Sequence, residues 1–222
     1  MMSIFSKSEK LYVALCGLFS MLLVIGNITS QKFISIPIGD IHIFELSIGA
    51  TVFPLTFLIT DLVTEFYGKE RAVFCVRSAI FVNIVAACII TLMNHVPAAN
   101  WSKINDHTFN DVFGIYSLLF IGSTMSSYIS QLLDTNIYLT LKAWTKGRHL
   151  WLRNNLSTAI SLLLDTSVVI IFLAALDVLP KEQAIPLIIN GYIFKLIFTI
   201  SNTPIFYAAV ICIRSYIYRN PD

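Results

Sequence analysis

Charge is scarce in this chain. Lys and Arg number 15 and Asp and Glu 13 among 222 residues, or 13% in all, where a soluble domain carries ~25%. Apolar residues make up 56%, and mean hydropathy is +0.76. That balance excludes an ordinary soluble domain and points to a polytopic membrane protein. Other absences narrow the class. No P-loop and no G-x-G-x-x-G is present, so nucleotide hydrolysis within the chain is not expected. Low-complexity tracts are missing. Cys16, Cys75, Cys88 and Cys212 lie in apolar runs without metal-ligand spacing. They read as small core residues, not as a disulfide framework. No catalytic residue, metal, cofactor or nucleic-acid partner is expected.

What the chain does have is long apolar runs. A span needs ~20 residues to cross ~30 Å of hydrocarbon. Six runs qualify: 10–30, 45–66, 72–94, 113–141, 155–179 and 186–213. The expected fold is an all-α integral membrane protein, six helices in one bundle and one domain. The first run follows Lys7 and Lys10 as in a signal sequence, but Gly26-Asn27-Ile28-Thr29 is a poor cleavage site, so an uncleaved helix is expected. The fourth run is long enough to tilt or protrude. Pro54 and Pro204 are predicted to kink or unwind the second and sixth helices.

Basic residues set the orientation. Lys7, Lys10, Lys69, Arg71, Arg77, Lys142, Lys146, Arg148, Arg153, Arg214 and Arg219 fall on one side. Only Lys32, Lys103 and Lys181 fall on the other, with Lys195 inside the sixth span. Both termini are therefore expected in the cytoplasm. Residues 31–44, with Gly39-Asp40, have the pattern of a short hairpin dipping over the bundle. Residues 95–112, around Trp101, read either as a lid or as a solvated connection.

The polar residues inside the spans carry the functional argument. Ile129-Ser130-Gln131-Leu132-Leu133-Asp134-Thr135 returns as Ile160-Ser161-Leu162-Leu163-Leu164-Asp165-Thr166. Each copy puts one carboxylate at membrane depth, where it costs ~3 kcal/mol or more and usually faces a cavity or a partner. A single pocket shared by Asp134 and Asp165 is expected. Ser127, Gln131, Asp134 and Tyr138 share one helical face, as do Lys195, Phe198, Asn202 and Phe206 on the sixth helix. Asn27 ends the first helix and Glu45 opens the second. Asp61 and Glu65 form a like-charged pair followed by Lys69 at favourable spacing. They read as a solvated helix end, or as a proton-accepting pair or inner gate. For Asp134, Asp165 and Lys195 the bland alternative is a structural ion-pair network, and for the amides it is helix glue.

The motifs are also recognisable as strings. Asn27-Ile28-Thr29-x-Gln31-Lys32 is followed by Gly49-Ala50-Thr51-x-Phe53-Pro54-Leu55-Thr56-Phe57-x-x-Thr60-Asp61-x-x-x-Glu65-x-Tyr67-Gly68. Asn100-Trp101, Phe113-Gly114, Ser130-Gln131-x-x-Asp134, Leu150-Trp151-Leu152-Arg153-Asn154-Asn155-x-Ser157-Thr158 and Asp165-Thr166 follow. Across nearly the whole chain this pattern resembles the queuosine precursor transporters, a vitamin-uptake-transporter-like family of six-span membrane proteins. One departure is visible: Leu162 stands where the family often has Gln.

The resemblance implies import of a 7-deazaguanine (preQ0, preQ1 or queuine) across the bacterial inner membrane. It also implies a fold similar to the substrate-capture subunits of energy-coupling-factor importers. A carboxylate suits the ring N–H and exocyclic amine of such a ligand, with Gln131 or Asn202 reading its carbonyl. Tyr138 or Phe198 would stack on the ring, and Asp134 and Asp165 would divide ring and aminomethyl recognition. Secondary, proton-coupled transport through Asp61 or Glu65 and docking on energising subunits both remain open. So does a homo-oligomer in the lipid bilayer. The first helix, with Ala14-x-x-Gly17 and no extended Ala-x-x-x-Ala face, favours solitary action. Rival classes are an intramembrane aspartyl-type enzyme, which would need a G-x-G-D motif that is missing, and an assembly subunit without substrate.

Overall fold

The computed structural model describes residues 6–30, 32–38, 42–114 and 116–218. Helix α1 spans Lys7–Thr29. Strands β1 (Phe33–Ile38) and β2 (His42–Ser47) pair antiparallel, and a 3-10 turn at Ile48–Thr51 leads into α2, Phe53–Asn94. Then come α3 (Asp106–Phe113), α4 (Tyr116–Trp144), α5 (Leu150–Ala175), α6 (Lys181–Ser201) and α7 (Thr203–Tyr218). Four helical stretches among the described residues are long and apolar enough to cross a membrane: Lys7–Thr29, Ile48–Asn94, Leu150–Ala175 and Lys181–Ser201.

The burial pattern is that of a protein solvated by lipid. Ile25, Phe81, Ile171, Ile185 and Ile189 point outward, while Asp61, Asp134, Asp165 and Arg153 are each at most 2% exposed. Apolar groups gain nothing by hiding from hydrocarbon, so the polar groups turn to one another instead.

Several sequence expectations are amended. The fold is not purely helical, because the segment expected as a hairpin forms two strands that run on to Ser47. Gln31 and the Gly39-Asp40 turn lie outside the described residues. The second helix starts at Phe53, not 45. Pro54 does not kink it, because it occupies the first turn, where no N–H bond is lost. Glu45 lies exposed on β2 and opens no helix.

Gly68 divides α2 with φ +78° and ψ −179°, a conformation close to glycine-only. Residues 53–67 and 69–94 are thus separate limbs. The break lies between Glu65 and Lys69, so their expected i,i+4 pairing does not form. The sixth span is divided at Asn202, with Pro204 in the first turn of α7, so the interruption expected at Pro204 is present. Cys88 and Cys212 are exposed on helix surfaces rather than packed in the core.

The limb 53–67 is only ~22 Å long at 1.5 Å per residue, short of the ~30 Å of hydrocarbon, which leaves depth for the hairpin that precedes it. Irregular backbone at such depth survives only when packed on protein or lining a cavity. Here Phe44 and Leu46 of β2 are buried while Ile43 and Glu45 face out, the alternation of a half-covered strand. Phe44 meets Phe194 of α6, centroids 6.0 Å apart. Ile48 N–H donates to Lys32 O at 2.7 Å. A β-carbon at Gly49 would run into Gly26 O of α1, so glycine lets the turn lie against the helix.

The opposite end of the bundle is tied together by basic segments. Tyr12 Oη donates to Arg71 O at 2.9 Å, and Tyr67 Oη donates to Ser8 O at 2.8 Å. Arg71 lies over both rings.

Candidate functional site

Three buried polar layers run from the hairpin to the Gly68 end, in the same order on α2, α4 and α5. The first is the wall of a cavity of about 290 Å³ beneath the hairpin, at the small end of ligand pockets. Phe33 and Leu46 cover it, and Val169, Ile170 and Leu173 make one side apolar. Its polar groups include Asn27, Ser123, Asp165, Thr166 and Lys195, with Ser30 and Ser47 on the hairpin side. Lys195 Nζ lies 3.0 Å from Asp165 Oδ2 and 3.0 Å from Thr166 Oγ1, above the Phe53 ring. From α4, Ser126 Oγ donates to Asp165 O (2.9 Å) and lies 3.2 Å from Oδ1. The side-chain amide of Asn27 has no partner on either atom, although it is 2% exposed and lines the cavity. An orphaned buried amide costs roughly 1–3 kcal/mol, which a bound ligand would return.

The second layer lies deeper. Gln131 Nε2 donates to Thr56 Oγ1 at 3.1 Å, and Thr60 Oγ1 donates to Gln131 Oε1 at 2.6 Å. Asp134 faces Asp61 of α2 and Ser157 and Thr158 of α5. Asn154 Nδ2 donates to Asp61 Oδ2.

The third layer is an ionic knot around Glu65, whose side chain is 6% exposed. Lys142 Nζ and Arg153 Nη2 each lie 2.8 Å from its carboxylate, and Arg214 lies at 3.7 Å. Tyr138 Oη donates to Glu65 Oε2 at 3.1 Å and accepts from Arg153 Nε at 3.2 Å. Segments from α2, α4, α5 and α7 are thereby pinned together.

The expected site residues therefore divide. Asp165, Lys195 and Asn27 meet at the cavity. Gln131 and Asp134 do not: they face α2, and the single pocket expected for Asp134 and Asp165 is not what the fold builds. Tyr138 belongs to the knot and is not among the residues lining the cavity. Phe198 stacks on Phe194, centroids 6.4 Å apart, behind the hairpin. Asn202 caps α6. Glu65 is held by three cations, away from Asp61's partner. Residues 95–112 supply nothing to the cavity wall; the hairpin covers it instead.

Ser126, Phe53, Arg153 and Asn154 were missed as functional residues. One signal was readable. The internal repeat extends back through Ser126-Ser127 and Ser157-Thr158, and the antiparallel helices exchange these groups: Ser126 and Ser130 reach Asp165, while Ser157 and Thr158 flank Asp134.

Comparison with known proteins places the chain in a family. Residues 47–209 match the family described as "Putative vitamin uptake transporter". A Bacillus subtilis (strain 168) protein named "Probable queuosine precursor transporter" is 29% identical over 180 residues, covering 78% of this chain and 76% of its own. No solved structure matches. That family match, over most of its length, identifies the chain as a member of the vitamin uptake transporter family of membrane proteins.

Proposed function

We propose that this protein imports a 7-deazaguanine precursor of queuosine (preQ0, preQ1 or queuine) across the bacterial inner membrane, with both termini in the cytoplasm, as a secondary transporter. The carrying observation is the Asp165–Lys195 pair at the cavity wall. A 7-deazaguanine offers a carbonyl acceptor beside a ring N–H and an exocyclic amine. Lys195 supplies the donor for the first and Asp165 the acceptor for the other two, side by side. The substrate edge inserts between them and exchanges one ion pair for three charge-assisted hydrogen bonds. Phe53 offers a ring face, and the unpartnered Asn27 amide offers further polar contact. The closeness to a protein named as a queuosine precursor transporter supports this substrate class.

The layers support an alternating-access reading. The hairpin lies over the cavity at one end, and the Glu65 knot closes the other. Release to the cytoplasm requires the knot to part.

The test is competition uptake in a strain unable to make queuosine. Labelled preQ1 should be displaced by its deazaguanine relatives and not by adenine. Lack of uptake, or equal displacement by adenine, would refute the assignment. If accumulation by purified protein in vesicles requires added energising subunits, the solitary mechanism is wrong while the substrate stands.

A further inference from the structure

Between the cavity and the knot lies a second pair of acids. Asp61 and Asp134 face one another across the α2–α4 seam, 0% and 1% exposed. Asp61 Oδ2 accepts from Asn154. Asp61 Oδ1 and both oxygens of Asp134 make no hydrogen bond among the described residues, with the Ser157 and Thr158 hydroxyls the donors nearest to Asp134. No ion pair reaches either carboxylate among those residues either. The groups turned toward the pair are Asn154 and Arg153 of α5 and Tyr138 of α4, with Ser157 and Thr158 of α5 beside Asp134. Arg153 is already held by Glu65, Tyr138 and Gly147 O. Thr158 flanks Asp134, and its buried hydroxyl is unpartnered as well.

Two adjacent carboxylates cannot both stay ionised without water or a cation, because repulsion and lost hydration act together. One proton resolves both problems. It removes a charge, and it supplies the O–H donor that the facing carboxylate lacks.

We propose that Asp61 and Asp134 form the proton-binding site of the transporter, carrying one proton inward with each substrate. The proposal rests on the import function above. Position supports it: Asp61 is eight residues, or ~12 Å, along α2 from Phe53 at the cavity, and four residues, or ~6 Å, from Glu65 in the knot. The proton site therefore lies on the path between substrate and inner closure. An O–H bond forms on one carboxylate when water from the hairpin side delivers a proton. It breaks toward water on the other side when the knot parts. A sodium ion fits less well, since Asn154 directs an N–H donor into the site where a hard cation needs oxygen ligands.

The test uses the full-length protein in vesicles holding a trapped pH indicator. An acid-outside gradient should drive preQ1 accumulation, and substrate entry should acidify the lumen. Asp134→Asn and Asp61→Asn should keep preQ1 exchange at equal internal and external concentrations but lose accumulation against a gradient, by roughly tenfold or more. Exchange without lumen acidification in wild type, accumulation driven by a sodium gradient instead, or full gradient-driven accumulation by both variants would overturn the proposal. Absence of even exchange in wild type would refute the import function rather than the proton site. If a variant fails to insert, the wild-type acidification measurement decides alone.

Discussion

The Ser126 hydroxyl of α4 bonds both the backbone carbonyl and the side-chain carboxylate of Asp165 on α5, at 2.9 and 3.2 Å. One small side chain thus fixes the helix contact and the orientation of the acid at the cavity. The expected outcome of Ser126→Ala is a loss of about 1 kcal/mol in stability and a weaker substrate affinity. Ser126→Cys, which keeps the volume and a weak donor, should recover the packing but only part of the affinity. Thermal melting with and without preQ1 checks both.

Lys195 and Asp165 should be separable by a double-mutant cycle. Lys195→Met leaves a buried carboxylate without its cation, a loss of about 3–5 kcal/mol. Asp165→Asn with Lys195→Met removes both charges and should regain most of that stability. Neither form should transport, since the donor and acceptor that match the substrate edge are gone. Asp165→Asn alone should weaken preQ1 binding about 10- to 100-fold, the range of a charge-assisted hydrogen bond.

Glu65 makes an opposite prediction. Its carboxylate holds Arg153 and Lys142 at 2.8 Å. Glu65→Gln should destabilise the closed bundle by about 3 kcal/mol, because Arg153 is buried and would lose its counter-charge. Cysteine-labelling of the inner end should show it more open. Unchanged labelling would mean that the knot is not the inner closure.

Gly68 has φ +78° and open space around its α-carbon. Gly68→Ala therefore suffers from conformation rather than from clash, about 1–3 kcal/mol. The same substitution at Gly49 meets the backbone of Gly26 and should dislodge the hairpin, lowering substrate retention more than melting temperature. Comparing the two variants in binding and melting assays distinguishes strain at the basic end from loss of the cover.

The chain's composition was enough to place it in a membrane, because the shortage of charge and the length of the apolar runs follow from the solvent alone. The repeated Ser-x-x-x-Asp spacing was likewise legible, since helical periodicity puts those groups on one face. Periodicity does not say which neighbour that face meets. Asp134 and Asp165 have nearly identical local sequences, yet α4 turns the first toward Asp61 and α5 turns the second toward Lys195. Arg153 was counted as a loop charge, and only packing made it the partner of Glu65. The second strand runs on to Ser47 and so moves Leu46 and Ser47 from the start of an expected helix to the cavity wall. Solvent and spacing act along the chain and can be read there; pairing of buried charges depends on which helices lie side by side, and only the tertiary structure decides that.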